Sequence, residues 1–405
     1  MKQILFRIRQ FPHLSETFVL AQMITAKKAG FEVTILIDEL LSFQESTHEE
    51  TILKHQFDKR IVFEDYRIQS NKFIRLFKAA FILLKHFKNI KKLIKFLSLK
   101  KKFSLTWIYQ FNFYKKFENF DVYHIQYGTS SKPFDILKKA GLLKGKLIVS
   151  FHGHDAFFPI NGFIPNNGYY KHLFQGDNLI VANTPYLAGI IRSLGCPDKN
   201  LRVVPVGVDT HYFMPTDSKK SSDRLRLITV GRLDPIKGHE FAIEAVNKIK
   251  NKGYKIKLLI IGEGDHRELL ENKIQNLQLE EDIQLLGRRN QEAVKYYLQQ
   301  SDVFLFTSVP LKDGRRETQG LATLEAQACG LPVVAFNSGG IKYTFRNGEN
   351  GFLCKEFDVD CLVKNIELLF EKKIRIEMGK RSRVNVQKFS LKNIEYQWAQ
   401  IYNEL

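Results

Sequence analysis

The chain reads Glu317-Thr-Gln-Gly-Leu-Ala-Thr-Leu-Glu325 and continues directly as Ala-Gln-Ala-Cys-Gly-Leu-Pro-Val-Val-Ala335. The first residues are typical of a loop, the next ones are good helix formers, and Gly330 is a natural stop for a helix. Pro332 then opens an apolar, β-branched run of the kind that forms a buried parallel strand. The stretch therefore predicts a loop, a helix and a buried strand in succession.

Two carboxylates flank the predicted start of this helix. Gly320 ends the loop and Leu321 begins the helix, so Glu317 lies in the loop and Glu325 lies early in the helix. A helix start presents free N–H groups and the positive end of the helix dipole, which favour an anionic phosphate, while carboxylates accept hydrogen bonds from sugar hydroxyls. The pattern predicts a nucleotide-sugar site, although a Glu near a helix start is also ordinary helix capping.

A second candidate site lies upstream of this stretch. A strand predicted at residues 225–230 runs into Gly231, and Arg232 and Lys237 follow in the turn. Ligands of open α/β sheets bind at the carboxyl ends of strands, where these two cations could neutralise a diphosphate. A solvated basic turn is the alternative. Gly262 follows a further predicted strand and suits a tight turn close to a ligand.

Together these motifs resemble those of the retaining glycosyltransferases of family 4, which have the GT-B fold. The family's Arg…Lys pair and its E-x7-E motif match at Arg232, Lys237, Glu317 and Glu325. The likeness covers nearly the whole chain, and its motifs are specific in combination.

The remaining parts of the resemblance lie outside these four residues. Phe151-His-Gly-His-Asp155 follows a predicted apolar strand, as in the family. Phe11-Pro-His-Leu-Ser-Glu-Thr-Phe18 resembles the opening of the colanic-acid and amylovoran exopolysaccharide branch. One departure affects donor preference, because many relatives carry Pro-Glu after Ser338-Gly-Gly-Ile341, where this chain has Lys342-Tyr343.

The resemblance implies an α/β chain of two Rossmann-like, doubly wound parallel-sheet domains that face each other across a cleft. Composition agrees, because 405 residues exceed one ordinary domain and a hydrophobic fraction of 44% is enough for two cores. We expect an N-terminal acceptor-side domain over 1–215 and a C-terminal nucleotide-sugar-binding domain over 216–389. The tail 390–405 is expected to cross back onto the first domain.

The implied activity is transfer of a hexose from a nucleoside-diphosphate sugar to a lipid-linked saccharide acceptor, without a metal or another cofactor. It would serve exopolysaccharide or lipopolysaccharide biosynthesis. The catalytic residues that the resemblance implies are His152, Arg232, Lys237 and Glu317, with Glu317 on the donor sugar. Donor binding is expected at Gly231, Arg232, Lys237, Gly262, Glu317, Gly320, Leu321 and Glu325, with Glu325 on the ribose. The expected acceptor-side residues are Ser15, Glu16, Thr17, His152 and Asp155.

Other activities remain open at this point. A GT-B-fold epimerase or phosphorylase would share the fold, and a non-catalytic polysaccharide-assembly scaffold would bind no nucleotide. The two glutamates could also be a glycosidase pair. If both lay on one helix they would be about 12 Å apart, too far for the about 5–5.5 Å of a retaining glycosidase, but a loop at Glu317 leaves that distance open.

The positive charge of the chain is concentrated in one segment. Residues 66–117 hold fourteen Lys or Arg and no Asp or Glu, against a net charge of +19 for the whole chain. Apolar residues recur there at helical spacing, which predicts a basic amphipathic helix that docks on an anionic membrane. A packed helix with a solvated lysine face is the alternative. The lysines expected to contact lipid are Lys85, Lys88, Lys92 and Lys95.

Several classes of protein are not favoured by the sequence. It shows no signal peptide and no run of about 18 uncharged apolar residues, so we expect a cytoplasmic protein that is peripheral on the inner face of the cytoplasmic membrane. Nucleic acid is not an expected partner, because no helix-turn-helix, zinc-finger, KH or RNP signature is present. Four scattered cysteines without C-x-x-C spacing predict reduced thiols rather than a disulfide framework or a zinc site.

Overall fold

The computed structural model describes residues 1–12, 17–43, 49–100, 102–220 and 222–405. Two compact units divide the chain. Unit 1 comprises Met1–Ala182, Ala188–Val204 and Glu395–Leu405, and unit 2 comprises Asn183–Leu187 and Pro205–Ile394.

Unit 1 is organised around a parallel sheet. The strands of unit 1 are β1 (Lys2–Arg7), β2 (Gln10–Phe11), β3 (Phe31–Ile37), β4 (Glu39–Leu40), β5 (Ile61–Phe63), β6 (Val122–Gln126), β7 (Lys146–Phe151), β8 (Leu179–Ala182) and β9 (Leu201–Val203). Seven of them form a sheet in the order β5-β3-β1-β6-β7-β8-β9, and β2 pairs with β4. The central strands β6 and β7 are buried on both faces; β7 is mostly apolar, whereas β6 also buries the polar His124 and Gln126.

Helices alternate with these strands. They are α1 (Thr17–Lys28), α2 (Glu49–Lys54), α3 (Lys72–Lys85), α4 (Ile90–Ser98), α5 (Thr106–Lys115), α6 (Phe134–Lys139), α7 (Lys171–Phe174) and α8 (Pro185–Ser193), the last of which begins in unit 2. Gly30 follows α1 with a φ of +88°, a left-handed conformation that favours glycine at the end of a helix.

Unit 2 repeats the same architecture. Its strands are β10 (Leu225–Val230), β11 (Ile256–Ile261), β12 (Ile283–Gly287), β13 (Val303–Phe306), β14 (Val333–Phe336) and β15 (Gly351–Cys354). Its helices are α9 (His239–Asn251), α10 (Arg267–Asn276), α11 (Gln291–Gln300), α12 (Leu321–Ala328), α13 (Val359–Leu368) and α14 (Lys372–Val386). The sheet is parallel, in the order β12-β11-β10-β13-β14-β15. The predicted α/β fold with two Rossmann-like parallel-sheet domains is confirmed.

The last helix of the chain contributes to both units. Helix α15 (Leu391–Asn403) starts in unit 2, and its residues from Glu395 onward belong to unit 1. Trp398 and Tyr402 are buried there, and the Tyr402 hydroxyl lies 2.9 Å from His124 Nδ1 of β6.

The basic segment differs from the single amphipathic helix that its periodicity predicts. Helices α3 and α4 are separated by a 3₁₀ turn at Phe87–Asn89. Helix α4 buries Leu93 and Phe96, whereas α3 buries only Ala79 and Ile82. The large apolar side chains that remain exposed on α3 and the turn are Phe73, Ile74, Leu76, Phe77, Phe81, Leu84 and Phe87. Both helices therefore pack on the protein, but α3 does so through Ala79 and Ile82 and leaves most of its large apolar side chains exposed.

The prediction that all four cysteines are reduced is wrong. The structure pairs Cys354, at the end of β15, with Cys361, in the first turn of α13, with their Cα atoms 5.6 Å apart. Their separation in sequence does not correspond to a C-x-x-C motif, and only the strand-to-helix turn brings them together. Cys196 and Cys329 are free and buried. Across the described residues, no helix has the length and apolar character needed to span a membrane.

Candidate active site

The turn after β10 places two of the predicted cations at the carboxyl edge of the sheet in unit 2. The Gly231 N–H donates to the carbonyl oxygen of Ile261 on the neighbouring strand, over 3.0 Å. A 3₁₀ turn then runs over Pro235–Lys237, and the Asp234 side chain caps it by accepting a hydrogen bond from the Ile236 N–H. This local order fixes the direction in which Lys237 leaves the backbone.

Lys237 forms an ion pair with Glu317, so the structure joins the two motifs. The Lys237 ammonium donates to Glu317 Oε2, and the two side chains are 19% and 16% exposed, respectively. Burial alone would raise the pKa of Glu317, but the charge of Lys237 and hydrogen bonds to the carboxylate outweigh it and lower that pKa. Glu317 is therefore ionised at neutral pH, which keeps the ammonium in place.

The loop that carries Glu317 packs against the two glycines after β14. The Gly340 N–H donates to the carbonyl oxygen of Glu317 over 2.9 Å. A Cβ at Gly339 would overlap the same oxygen, and a Cβ at Gly340 would overlap the carbonyl oxygen of Thr318. Glycine is required here for close approach to the 317–318 backbone, which positions the Glu317 side chain.

Glu325 lies in the second turn of α12, which begins after Gly320, a residue with a φ of +75°. Burial raises the pKa of Glu325 to about 7. Within the described part of the chain, its carboxylate has no hydrogen-bond or ion-pair partner. Its oxygens are thus available to accept hydrogen bonds from a ligand.

Arg232 lies apart from the Lys237–Glu317 pair. Its side chain is 77% exposed, and the ion pair found for it is a 3.8 Å contact with Asp234. The backbone of Arg232 is fixed, because the buried His239 ring donates from Nε2 to the Arg232 carbonyl over 3.1 Å. The guanidinium therefore leaves an ordered turn with freedom to reach an anion.

Gly262 lies beside this turn, at a position where the structure requires glycine. It has a φ of +154°, and a Cβ there would overlap the carbonyl oxygen of Gly231. The close approach of these two backbones places the turns after β10 and β11 side by side. No group of three or more potential metal ligands occurs in the part of the chain that the structure describes.

In unit 1, His152 and Asp155 lie at the carboxyl edge of β7 and have different environments. The Asp155 carboxylate accepts hydrogen bonds from the backbone N–H groups of Gly128, His152 and Gly153. Its exposure is 0%, so it supports these two loops and presents no surface to an acceptor.

The His152 ring is held by a chain of amide side chains. His152 Nε2 lies 3.0 Å from the Gln126 Oε1 atom, and an amide oxygen can only accept, so Nε2 carries the proton. Gln126 in turn donates to Gln22 Oε1 over 2.7 Å. Burial lowers the pKa of His152 to about 4, so its ring is neutral at pH 7.

The other residues predicted in unit 1 are only partly described. Ser15 and Glu16 lie outside the described residues, and Thr17 is the first residue of α1. Of the lysines predicted to contact lipid, Lys85, Lys88 and Lys95 are exposed. Lys92 instead donates to Glu118 over 2.7 Å, which commits it to a contact within the protein.

Two family models match successive parts of the chain. The model described as Glycosyltransferase Family 4 matches residues 15–212, and the model described as Glycosyl transferases group 1 matches residues 213–388. The chain belongs to glycosyltransferase family 4. The Lys237–Glu317 pair and Glu325 lie in the second matched region, and His152 lies in the first.

Two curated relatives of this chain are named as glycosyltransferases of colanic acid and amylovoran biosynthesis. The chain is 32% identical over 248 residues to the putative colanic acid biosynthesis glycosyltransferase WcaL of Escherichia coli, covering 61% of this chain and 60% of that protein. It is 30% identical over 242 residues to the amylovoran biosynthesis glycosyltransferase AmsK of Erwinia amylovora, covering 60% and 59%. The matched region therefore spans less than two thirds of each relative.

Solved structures support the fold of both units. Anabaena HepE in complex with UDP matches with a TM-score of 0.72 at 16% identity, over 100% of both chains. The glycosyltransferase of Rickettsia africae matches with a TM-score of 0.71 at 19% identity, over 100% of this chain and 98% of that one. The GT-B fold expected from the motifs is confirmed by these likenesses.

Several supporting residues of the site are not evident in the sequence. The Thr184 hydroxyl donates to the carbonyl oxygen of Thr318 over 2.7 Å, and the Gln319 amide exchanges two hydrogen bonds with the backbone of Val206. Both contacts hold the 317–320 loop. They join segments that are more than a hundred residues apart, so local spacing carries no signal for them.

Proposed function

We propose that this chain is a retaining hexosyltransferase that moves a hexose from a nucleoside-diphosphate sugar to a saccharide hydroxyl. The observation that carries the proposal is the Lys237–Glu317 ion pair beside the start of α12. The pair brings a cation for the leaving diphosphate together with a carboxylate for the donor sugar. Retention of the anomeric configuration follows from the family to which the chain belongs.

The chemistry requires negative charge to be stabilised as the sugar–phosphate bond breaks. Lys237, Arg232 and the backbone N–H groups at the start of α12 supply positive charge next to the leaving diphosphate, which becomes more negative. Because Glu317 already holds the ammonium, Lys237 needs little reorganisation when the donor binds. These groups replace a divalent cation in the proposed reaction, which needs no metal.

Glu325 fits the ribose of the donor. A carboxylate without a partner in the described chain is costly to bury unless a ligand supplies hydroxyl donors. The two adjacent hydroxyls of a ribose meet that need. Glu317, which already accepts from Lys237, is assigned to a hydroxyl of the transferred sugar.

Nucleotide binding tests the proposal directly. Isothermal titration of the protein with UDP and with GDP should give saturable binding to at least one of them, and Glu325→Gln should weaken it about 10-fold or more, as expected for charge-assisted hydrogen bonds worth about 1.5–3 kcal/mol. Glu349→Gln, which removes an exposed carboxylate from the same unit, is the matched control. Absence of binding to either nucleotide contradicts the transferase and favours a scaffold.

We also propose that the acceptor is lipid-linked and that α3 brings the protein to an anionic bilayer. The segment 66–117 supplies fourteen cations, and Phe73, Phe77 and Phe81 of α3 are each more than 60% exposed. A basic surface with projecting apolar side chains complements anionic headgroups over a hydrocarbon interior. This surface, rather than the lysines alone, is the proposed anchor.

A further inference from the structure

A disulfide-closed loop of unit 2 lies next to the segments that carry the Lys237–Glu317 pair. The Cys354–Cys361 bond closes the loop that joins β15 to α13, and a cross-link of this kind restricts the conformations of the short chain between its ends. The loop begins beside the segment that leads to the glycine pair after β14, since the Asn337 N–H donates to the Cys354 carbonyl oxygen over 2.7 Å. Its position is therefore fixed at both ends.

Glu356 of this loop forms an ion pair with Arg316, the residue before Glu317. Arg316 Nε donates to Glu356 Oε1 over 2.9 Å, and Nη2 donates to Oε2 over 3.4 Å. Two such contacts between a guanidinium and a carboxylate fix the orientation of both groups as well as their distance. The side chains are 35% and 21% exposed, so solvent screens this pair less than it screens a fully exposed one. The disulfide-closed loop is thus tied to the backbone beside Glu317.

Phe357, the next residue of the loop, contacts the other half of the site. It has a φ of +69°, a conformation that a non-glycine residue keeps only where its surroundings impose it. Its ring packs against that of Phe241 in α9, with the centroids 5.5 Å apart. The Phe241 N–H donates over 3.0 Å to the carbonyl oxygen of Gly238, which follows Lys237. The loop therefore contacts the chain next to Lys237 as well as the chain next to Glu317.

We infer that Glu356 is a positioning residue for the donor site, and that it acts through Arg316 to hold the loop that carries Glu317. The Gly340 N–H holds that loop at the Glu317 carbonyl oxygen, and the Arg316–Glu356 pair holds it one residue earlier. Neither Arg316 nor Glu356 takes part in the chemistry; together they set where the Glu317 carboxylate lies. The inference rests on the proposed transferase function and adds two residues that lie outside the E-x7-E motif.

Hydrogen–deuterium exchange of the full-length protein without ligand tests whether the pair holds the loop. The reporters are the peptides that contain Gly320 or Gly340, whose N–H groups donate to Glu317. Glu356→Arg places two cations against each other and should raise the exchange rate of these peptides by about threefold or more. Arg316→Glu combined with Glu356→Arg reverses both charges and should restore most of the protection.

Nucleotide titration separates positioning of Glu317 from a general structural role. UDP and UDP-glucose differ only by the sugar to be transferred, as do GDP and GDP-mannose. Because Glu317 is assigned to that sugar, Arg316→Gln should weaken binding of the nucleotide sugar by about threefold or more relative to its nucleotide. Arg315→Gln is the matched control, because it removes one cation from the same loop but Arg315 pairs locally with Asp313 over 2.7 Å. It should leave the ratio of affinities unchanged.

Arg316 and Glu356 are partly exposed, so these variants should fold, which their melting temperatures would verify. Wild-type exchange in Glu356→Arg, failure of the double reversal to restore protection, or equal effects of Arg316→Gln on nucleotide and nucleotide sugar would each overturn the inference. If the wild-type protein binds UDP or GDP in any of these cases, the failure belongs to the positioning role alone. A wild-type protein that binds neither nucleotide would instead remove the proposed function, while the exchange experiment still decides whether Glu356 holds the loop.

Discussion

At the scale of single residues, Lys237 has two roles: it is proposed to stabilise the negative charge of the leaving group, and it holds the Glu317 carboxylate in position. We expect Lys237→Ala to reduce turnover by about 10²-fold or more, because a positive charge is lost where the leaving group becomes negative. It also leaves Glu317 without its cation, so the acid limb of the pH–rate profile should move to higher pH. The measurement is kcat against pH with saturating donor, normalised to folded protein because the pair is mostly buried.

Lys364→Ala is the control for this prediction, since Lys364 is an exposed lysine of α13 in the same unit. It should leave both the rate and the pH profile unchanged. Near-wild-type turnover of Lys237→Ala would contradict the assignment of Lys237 to the leaving-group site.

Glu325 couples stability to pH, and the sign of that coupling is fixed. Its pKa of about 7 in the folded protein exceeds its ordinary value of 4.5, so between these values the folded state keeps a proton that the unfolded chain releases. Stability from this residue therefore falls as pH rises through that window. We expect apo Glu325→Gln to melt above wild type at about pH 8 and close to it at about pH 5, by differential scanning calorimetry.

The same substitution should weaken nucleoside-diphosphate binding, so stability and affinity move in opposite directions. This combination separates a binding carboxylate from a capping one, because loss of a helix cap would lower the melting temperature at both pH values. A variant that is destabilised at about pH 8 contradicts the assignment of Glu325 to ligand binding.

The sequence predicts candidate residues of the donor site, whereas it gives no indication of the residues that support them. Arg232, Lys237, Glu317 and Glu325 follow from motif spacing, because each motif is contiguous with one strand end or helix start. The interactions of Gln126 with His152, and of Thr184 with Thr318, depend on packing between distant segments. Periodicity and spacing describe only local geometry, so these supports become visible only in the folded chain.

At the scale of elements, strand positions were predictable where apolar runs were long and uninterrupted. Strand β10 occupies residues 225–230 as expected, and β14 follows Pro332 where the β-branched run indicates a strand. The edge strands β5, of three residues, and β15, which begins with a glycine, give too weak a pattern to be recognised.

Helix α3 shows what hydrophobic periodicity alone does not predict, namely which partner an apolar helix face meets. Its spacing reveals apolar residues on a helix, but periodicity cannot say whether they meet the protein core or solvent. The contacts settle this, since α3 packs through Ala79 and Ile82 beside Ile108 and Tyr109 of α5. The phenylalanine side chains of α3 remain exposed to solvent.

The glycine pair after β14 should be intolerant of side chains. We expect Gly340→Ala to lower both the melting temperature and the turnover, because its Cβ would overlap the carbonyl oxygen of Thr318 in the loop that carries Glu317. Gly189→Ala is the matched control, because a Cβ at this helical position meets open space and replaces glycine by a better helix former. Wild-type kinetics in Gly340→Ala would show that the loop does not need this close approach.

At the scale of the whole molecule, most of the excess positive charge belongs to one segment of unit 1, and the same segment exposes its aromatics. Electrostatic attraction and apolar insertion then act together but respond differently to salt. Lysines near an anionic surface contribute about 1 kcal/mol each and are screened by salt, whereas burying a phenylalanine contributes about 1.5–3 kcal/mol and is not. The two contributions can therefore be separated by ionic strength.

Vesicle flotation tests this division. Wild-type protein should float with vesicles that contain phosphatidylglycerol at low salt and partly detach at high salt. Changing Lys85, Lys88 and Lys95 together to Gln should weaken low-salt binding. Phe73→Ser, Phe77→Ser and Phe81→Ser combined should abolish the salt-resistant fraction, because these exposed side chains are the ones expected to insert into the bilayer.

Lys92→Gln is the control and should weaken vesicle binding less, since Lys92 is already paired with Glu118. Nucleotide binding should persist in every variant, because none of these residues belongs to unit 2. If wild-type protein fails to float at low salt, α3 does not dock on anionic lipid, and its exposed phenylalanines require a different partner.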